Sequence, residues 1–209
     1  MSHGVHAVQH EAEHKIQHDK EHGGGHADGT SLNKRVALLI AVLALFLAFS
    51  ETLGKSAQTA SLSSNIEASN YWSFFQAKTI RMTTLRTAAE SLETGLAREQ
   101  DARAKEAMEK RIAEWRKNAA RYDSEPDTQE GRKELAARAK EAEKKRDRTL
   151  AAYHQYEMSS AALQLAIVLA TANIITGVAF LLWGAFGLGA VGIAFILLGY
   201  FAPTAVHLF

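Results

Sequence analysis

Charge stops at Glu157. The 52 residues from Met158 to Phe209 contain no Asp, Glu, Lys or Arg. The hydrocarbon core of a bilayer, about 30 Å thick, is spanned by about 20 apolar helical residues, so this stretch is long enough to cross twice. Its division falls at Gly184–Gly189 (GAFGLG), within bounds of 158–184 for one span and 188–209 for the next, and Pro203 can kink the latter near its end. A shorter apolar run, Val36–Phe49, follows Lys34 and Arg35. With Ser50, Thr52 and Leu53 it makes a first span over residues 35–54, with Glu51 close enough to an end to reach head groups. Small residues recur four apart in the spans (Ala37, Ala41, Ala44 and Ala48; Ala162, Ala166 and Ala170; Ala185 and Gly189; Ala190 and Ala194), a spacing that lets helices approach closely in lipid.

Between the first two spans the pattern is helical and charged. Met108, Ile112, Trp115, Ala119 and Tyr122 alternate steps of four and three, the spacing of a coiled-coil seam. Leu135, Ala139, Ala142, Arg146, Thr149, Tyr153 and Tyr156 repeat it, and the frame runs on through Leu163, Ile167, Ala170 and Ile174. The second of these helices therefore continues into the apolar block without a break. Pro126 and its polar neighbours mark a turn at 123–127, with Asp127 or Thr128 as the next cap. The pattern thus predicts an antiparallel helical hairpin over 95–157.

Residues 55–94 form an amphipathic helical segment in which Tyr71, Trp72, Phe74 and Phe75 cluster. Ser63, Ser64 or Asn65 can cap its start, with Glu67 completing a capping box with Ser64. The aromatics suit either the membrane–water boundary or packing against neighbouring helices. Length sharpens the question. At the usual rise the outgoing segment 55–122 reaches roughly 100 Å and the returning 128–157 roughly 45 Å, so the outgoing arm must bend or lie along a surface, with Ser61–Asn65 and Gly95 as candidate breaks.

The fold class that follows is all-α: three transmembrane helices with a long, membrane-proximal, coiled-coil-like antiparallel hairpin between the first and second. Composition agrees, with two prolines in 209 residues. A leader peptide is not expected, because the polar tail before the first run is too long and acidic and no cleavage site follows. The 24 Lys+Arg and 23 Asp+Glu leave a net charge of +1, which argues against nucleic acid as a partner. The absence of cysteine excludes thiol catalysis, disulfides and Cys-ligated metals. Lys34 and Arg35 argue for a cytoplasmic N-terminus, while Lys144, Lys145, Arg146 and Arg148 argue the reverse; long loops weigh less in this rule, so the first orientation is preferred.

Candidate chemistry is sparse. In the tail, residues 1–33, His6, His10, His14, His18, His22 and His26 recur four apart. Neighbours at that spacing can chelate Zn²⁺ or Ni²⁺ weakly. Six of them spiral around a helix rather than form one cage, and Gly23–Gly25 interrupt it, so a solvated low-complexity tail is the alternative. No other cofactor is indicated. His154, among tyrosines, is read as packing rather than a ligand. Trp72, Phe74, Phe75 and Trp115, with Gln164 and Asn173 inside the second span, are candidate helix-association residues. No charge lies within a span, which argues against a proton relay or voltage sensor. The sequence has no Ser-His-Asp, HExxH or phosphate-loop pattern, and no enzyme activity is expected.

The run GKSAQTASLSSNIEASNYWSFFQAKTIRMTTLR (Gly54–Arg86), following an apolar helix and a His-rich tail, resembles an uncharacterised bacterial membrane-protein family catalogued as a domain of unknown function (four-three-three-seven). The resemblance extends over the three apolar segments and the helices between them. It implies an inner-membrane protein with helical hairpins and brings no catalytic residues. The expected function is a non-enzymatic, self-associating membrane scaffold or accessory subunit, with the bilayer and further copies of the chain as partners. A metal-handling accessory protein using the tail and an oligomeric pore component are the alternatives.

Overall fold

The computed structural model describes residues 27–205, with side chains from Asn33 onward. The tail histidines His6, His10, His14, His18 and His22 lie outside the described residues. Four α-helices follow one another: α1 (Ala27–Leu96), α2 (Ala102–Asp123), α3 (Arg132–Thr176) and α4 (Ala179–Phe201), with no strand among the described residues. Three of them, α1, α3 and α4, are long and apolar enough to cross a membrane. The chain divides into two compact units, one of residues up to Thr52 and Tyr156–Leu197, the other of Leu53–Gln155 and Leu198 onward.

α1 runs 70 residues without a break. Its unity has a visible cause. Val36, Ile40, Leu43, Leu47, Ser50, Gly54, Ala57, Ser61, Ser64, Ala68, Tyr71, Phe75, Lys78, Met82, Leu85 and Ala89 alternate steps of four and three, and all are buried or half-buried. A repeat of 3.5 residues keeps one stripe facing its partner helices along its length. The expected break at Ser61–Asn65 is absent. Ser61 and Ser64 are buried on this seam, and the Ser61 hydroxyl donates to the Arg146 carbonyl at 3.4 Å instead of capping a helix start.

In the second unit the seam is filled by α2 and then α3. Arg116 of α2 pairs with Glu93, and the Lys78 ammonium lies 5.4 Å from the Tyr122 ring centroid. Further along, Arg132 covers Phe75, Arg138 bonds Tyr71, Trp72 bonds Glu143 and Asn65 bonds Arg146. Partner numbers fall on α1 as they rise on α2 and α3. Both helices therefore run antiparallel to α1, one after the other. The predicted antiparallel hairpin about 123–127 is thereby corrected: the chain reverses at Ala97–Asp101, and the next loop joins two helices that keep one direction. The seams read on α2 and α3 lie on buried or half-buried positions from Met108 to Tyr122 and from Leu135 to Tyr156, but they face α1 rather than each other. The length mismatch goes with it, because α2 and residues 132–155 together match residues 53–96.

Local chemistry fixes both loops. Asp101 caps α2, its Oδ1 accepting the Arg103 N–H at 2.9 Å. The Glu99 carboxylate accepts the N–H groups of Asp101 and Gln100, which hold its pKa below the usual value. α3 begins at Arg132 rather than Thr128, since Gln129 takes a φ of 59° and ends any helix there. Glu134 reaches back to the Ser124 hydroxyl and the Glu125 N–H. A Cβ at Gly131 would collide with that carboxylate and with the backbone of Ser124 and Glu125.

In the first unit α1, α3 and α4 pack as three helices. Val36, Ala170 and Ala185 form a buried cluster flanked by Ile40, Leu169 and Leu182. Glycines allow the close approach: a Cβ at Gly189 would sit 2.8 Å from Leu43 and one at Gly192 would sit 2.6 Å from Leu163. The predicted division at Gly184–Gly189 is corrected, because those residues lie inside α4. The reversal is at Gly177, whose φ of 70° suits glycine, and Asn173 Nδ2 donates to the Val178 carbonyl at 2.9 Å to close it. Ala162, Ala166, Ala170 and Ala185 are buried, whereas Ala190, Ala194 and the α1 series Ala37, Ala41, Ala44 and Ala48 face outward.

Candidate functional site

Two features of the second unit stand out. The first is the junction where the α2–α3 loop meets α1. The Arg138 guanidinium lies 4.4 Å from the Tyr71 ring centroid and donates to its hydroxyl at 2.6 Å, while Tyr71 donates to Glu67. Trp72 packs edge-on against Phe75 with centroids 5.4 Å apart and donates its indole N–H to Glu143 at 2.9 Å. Lys78 pairs with Glu130 at 3.7 Å. Asp123 accepts from Lys133 and Arg132, each at 2.9 Å, and the Lys133 hydrogen bond, helped by Arg132, holds its carboxyl below the usual range. The Ser124 hydroxyl does the same for Glu134. These contacts join three helices through neutral and ionic bonds, each made to a partner within the chain.

The second feature is on the opposite side of α1. Thr59, Leu62, Ile66, Ser69, Ser73, Gln76, Ile80, Thr83 and Thr87 also alternate steps of three and four, and all are exposed. This outer stripe lies half a turn from the inner seam. It extends ~42 Å at the usual rise and carries no charge between Lys55 and Glu90. Elsewhere the unit's outward positions are ionic, as at Lys105, Glu109, Lys110 and Lys117 on α2 and Lys140, Glu141 and Lys144 on α3. The stripe thus combines three–four spacing with a lack of charge, and it is left exposed by the described residues.

The predicted association residues fall in different places. Trp72 and Phe75 belong to the junction and are half-buried, and Phe74 beside them is exposed. Trp115 is half-buried on the α2 seam, with Arg111 at 5.6 Å over its ring. Asn173 closes the turn after α3. Gln164 is exposed and its amide lies 3.5 Å from the Glu51 carboxylate. The structure does not bring these six together. Sequence reasoning did not single out the outer stripe, although its spacing was available in the run from Thr59 to Thr87; serine, threonine or glutamine at six of its nine positions hides it from a search for apolar residues. Among the described residues, no group of three or more His, Asp or Glu side chains is placed to hold a metal ion.

Over residues 32–202 the chain matches the family described as a domain of unknown function (DUF4337). No curated protein and no solved structure matches it.

Proposed function

The chain belongs to the DUF4337 family, and from that premise we propose that it is a non-enzymatic, multi-pass membrane protein that self-associates as a scaffold or accessory subunit. The membrane reading is supported by α1, α3 and α4, each long and apolar enough to cross. It is supported too by the large apolar side chains that the first unit leaves outward, among them Leu38, Leu45, Val168, Phe180 and Trp183. Lipid would cover them at no cost, whereas water would not. The bacterial inner membrane, with Lys34 and Arg35 on the cytoplasmic side, is the placement that fits the family resemblance and the positive-inside rule.

The observation that carries self-association is the outer stripe of α1. Its occupant is a second copy of the chain. The stripe carries no charge, so two copies meet without like-charge repulsion, and its three–four spacing suits a helix of the same period. Mass photometry of the purified protein in mild detergent is the test. A dimer or larger species is expected, and a monomer at every concentration overturns the reading.

A further inference from the structure

A cleft of about 560 Å³ opens where α3 meets the segment that ends α4. One wall is a face of α3 bearing Lys140, Lys144 and Arg148, four residues apart; the other is Phe201, Ala202 and Pro203. Two acids also line it: Asp147 pairs with Arg146 at 2.9 Å, while Glu143 accepts the neutral Trp72 indole N–H at 2.9 Å and keeps its charge, so three cations face one uncompensated carboxylate. The three cations have no ion pair among the described residues and are exposed. The cleft therefore offers uncommitted positive charge beside an apolar wall.

We propose that this cleft binds the phosphate headgroup of an anionic phospholipid. The proposal rests on the membrane reading above. The last turn of α4 presents Tyr200 and Phe201, 66% and 73% exposed, and exposed aromatic rings at the end of an apolar helix mark the headgroup level. Lys140 and Arg148 are separated by about 12 Å along the helix, which spreads the charge wider than one phosphate and suits a lipid bearing two. Basic clefts at this level recruit acidic headgroups through charge that neutral phosphatidylcholine does not match.

The test uses the full chain in nanodiscs of phosphatidylcholine, with and without phosphatidylglycerol or cardiolipin, and native mass spectrometry of the lipid retained after release. The wild type is expected to keep anionic lipid in preference to phosphatidylcholine. K140Q/K144Q/R148Q is expected to lose that preference by at least about tenfold, whereas K105Q/K110Q/K117Q, which removes the same charge from α2, keeps it. Equal losses in the two variants, or no preference in the wild type, overturn the proposal. Displacement of the lipid by millimolar inorganic phosphate would assign the cleft to a soluble anion and overturn it as well. Extraction of the protein from membranes by alkaline carbonate would instead defeat the membrane reading itself, so the two failures are told apart.

Discussion

Ser61 and Leu62 adjoin in the chain and face opposite ways, the serine 7% exposed and the leucine 60%. This reverses the usual preference of the two residue types. The serine lies on the seam that α3 fills, where its hydroxyl meets the Arg146 carbonyl. The leucine lies on the stripe that the described residues leave uncovered. The pair condenses the proposed role of α1: one face holds the protomer together and the other is offered to a second copy.

The inner seam admits only small side chains at its centre. Ser50 is fully buried and its hydroxyl donates to the Tyr156 carbonyl at 3.0 Å. Ser50→Leu is expected to destabilise by about 1–3 kcal/mol through overpacking. Ser50→Ala, which loses only the hydrogen bond, is expected to cost about 0.5–1.5 kcal/mol. Thermal unfolding in detergent, followed by circular dichroism, orders the two; equal effects would contradict the close packing.

Glycine matters at some positions of α4 and not at others. Gly192→Val brings a Cβ to 2.6 Å from Leu163 and is expected to cost about 1–3 kcal/mol. Gly187 has no atom within 4 Å of the corresponding position, so Gly187→Ala is expected to be neutral or slightly stabilising. The same melting assay reads both.

Acid should loosen the loop between α2 and α3. Asp123 and Glu134 have folded pKa values below their unfolded ones, through Lys133 and Ser124 respectively. Groups depressed in this way contribute stability that is full above the unfolded pKa, about 3.9–4.3, and is lost as pH falls through the folded value. The protection of the amides of residues 124–135, taken relative to the intrinsic exchange rate at each pH, is expected to fall below about pH 4. In Asp123→Asn the loop is expected to be faster at neutral pH and to show a smaller acid response. An unchanged acid response in that variant would remove Asp123 from the account.

Several features were legible in the sequence for definite reasons. The apolar runs announced three long helices, and the predicted seam positions are buried or half-buried from Met108 to Tyr122 and from Leu135 to Ala170, whereas Ile174, at the end of the predicted frame, is exposed. A four–three repeat says that a helix faces another helix; it does not say which one. The hairpin was therefore assigned to the turn marked by Pro126, whereas the reversal is made by the less conspicuous Ala97–Asp101 stretch, where Asp101 supplies the cap. The α1 seam escaped notice because Ser50, Gly54, Ala57, Ser61 and Ser64 occupy its centre, and small polar residues resemble a loop in hydropathy. The division between the last two helices was drawn at a stretch that includes glycines of close packing, since Gly184 and Gly189 differ from Gly177 only in backbone conformation and neighbours. The junction of Tyr71, Trp72 and Phe75 with Arg138, Glu143 and Arg132 depended on pairing across more than fifty residues of sequence, which no local pattern encodes.

Charge placed on the outer stripe should separate copies without unfolding the protomer. Leu62→Arg with Ile80→Arg adds two cations to exposed positions. Surface changes of this kind usually alter stability by less than about 0.5 kcal/mol. The expected result is a monomer in mass photometry with an unchanged melting temperature. A fall in melting temperature matching the loss of oligomer would mean that the substitutions act on folding instead.

The most direct measurement uses the absence of cysteine from the chain. Single cysteines introduced one at a time from Thr59 to Thr87, in native membranes, report which positions face a second copy through oxidative cross-linking. Cross-linking is expected with a period of three and four residues, with maxima at Leu62, Ile66, Ser69, Ser73, Gln76 and Ile80, and little from Lys110 or Lys117 on α2. Cross-linking without that period, or equally strong from α2, would contradict the claim that the outer face of α1 is where copies of this protein meet.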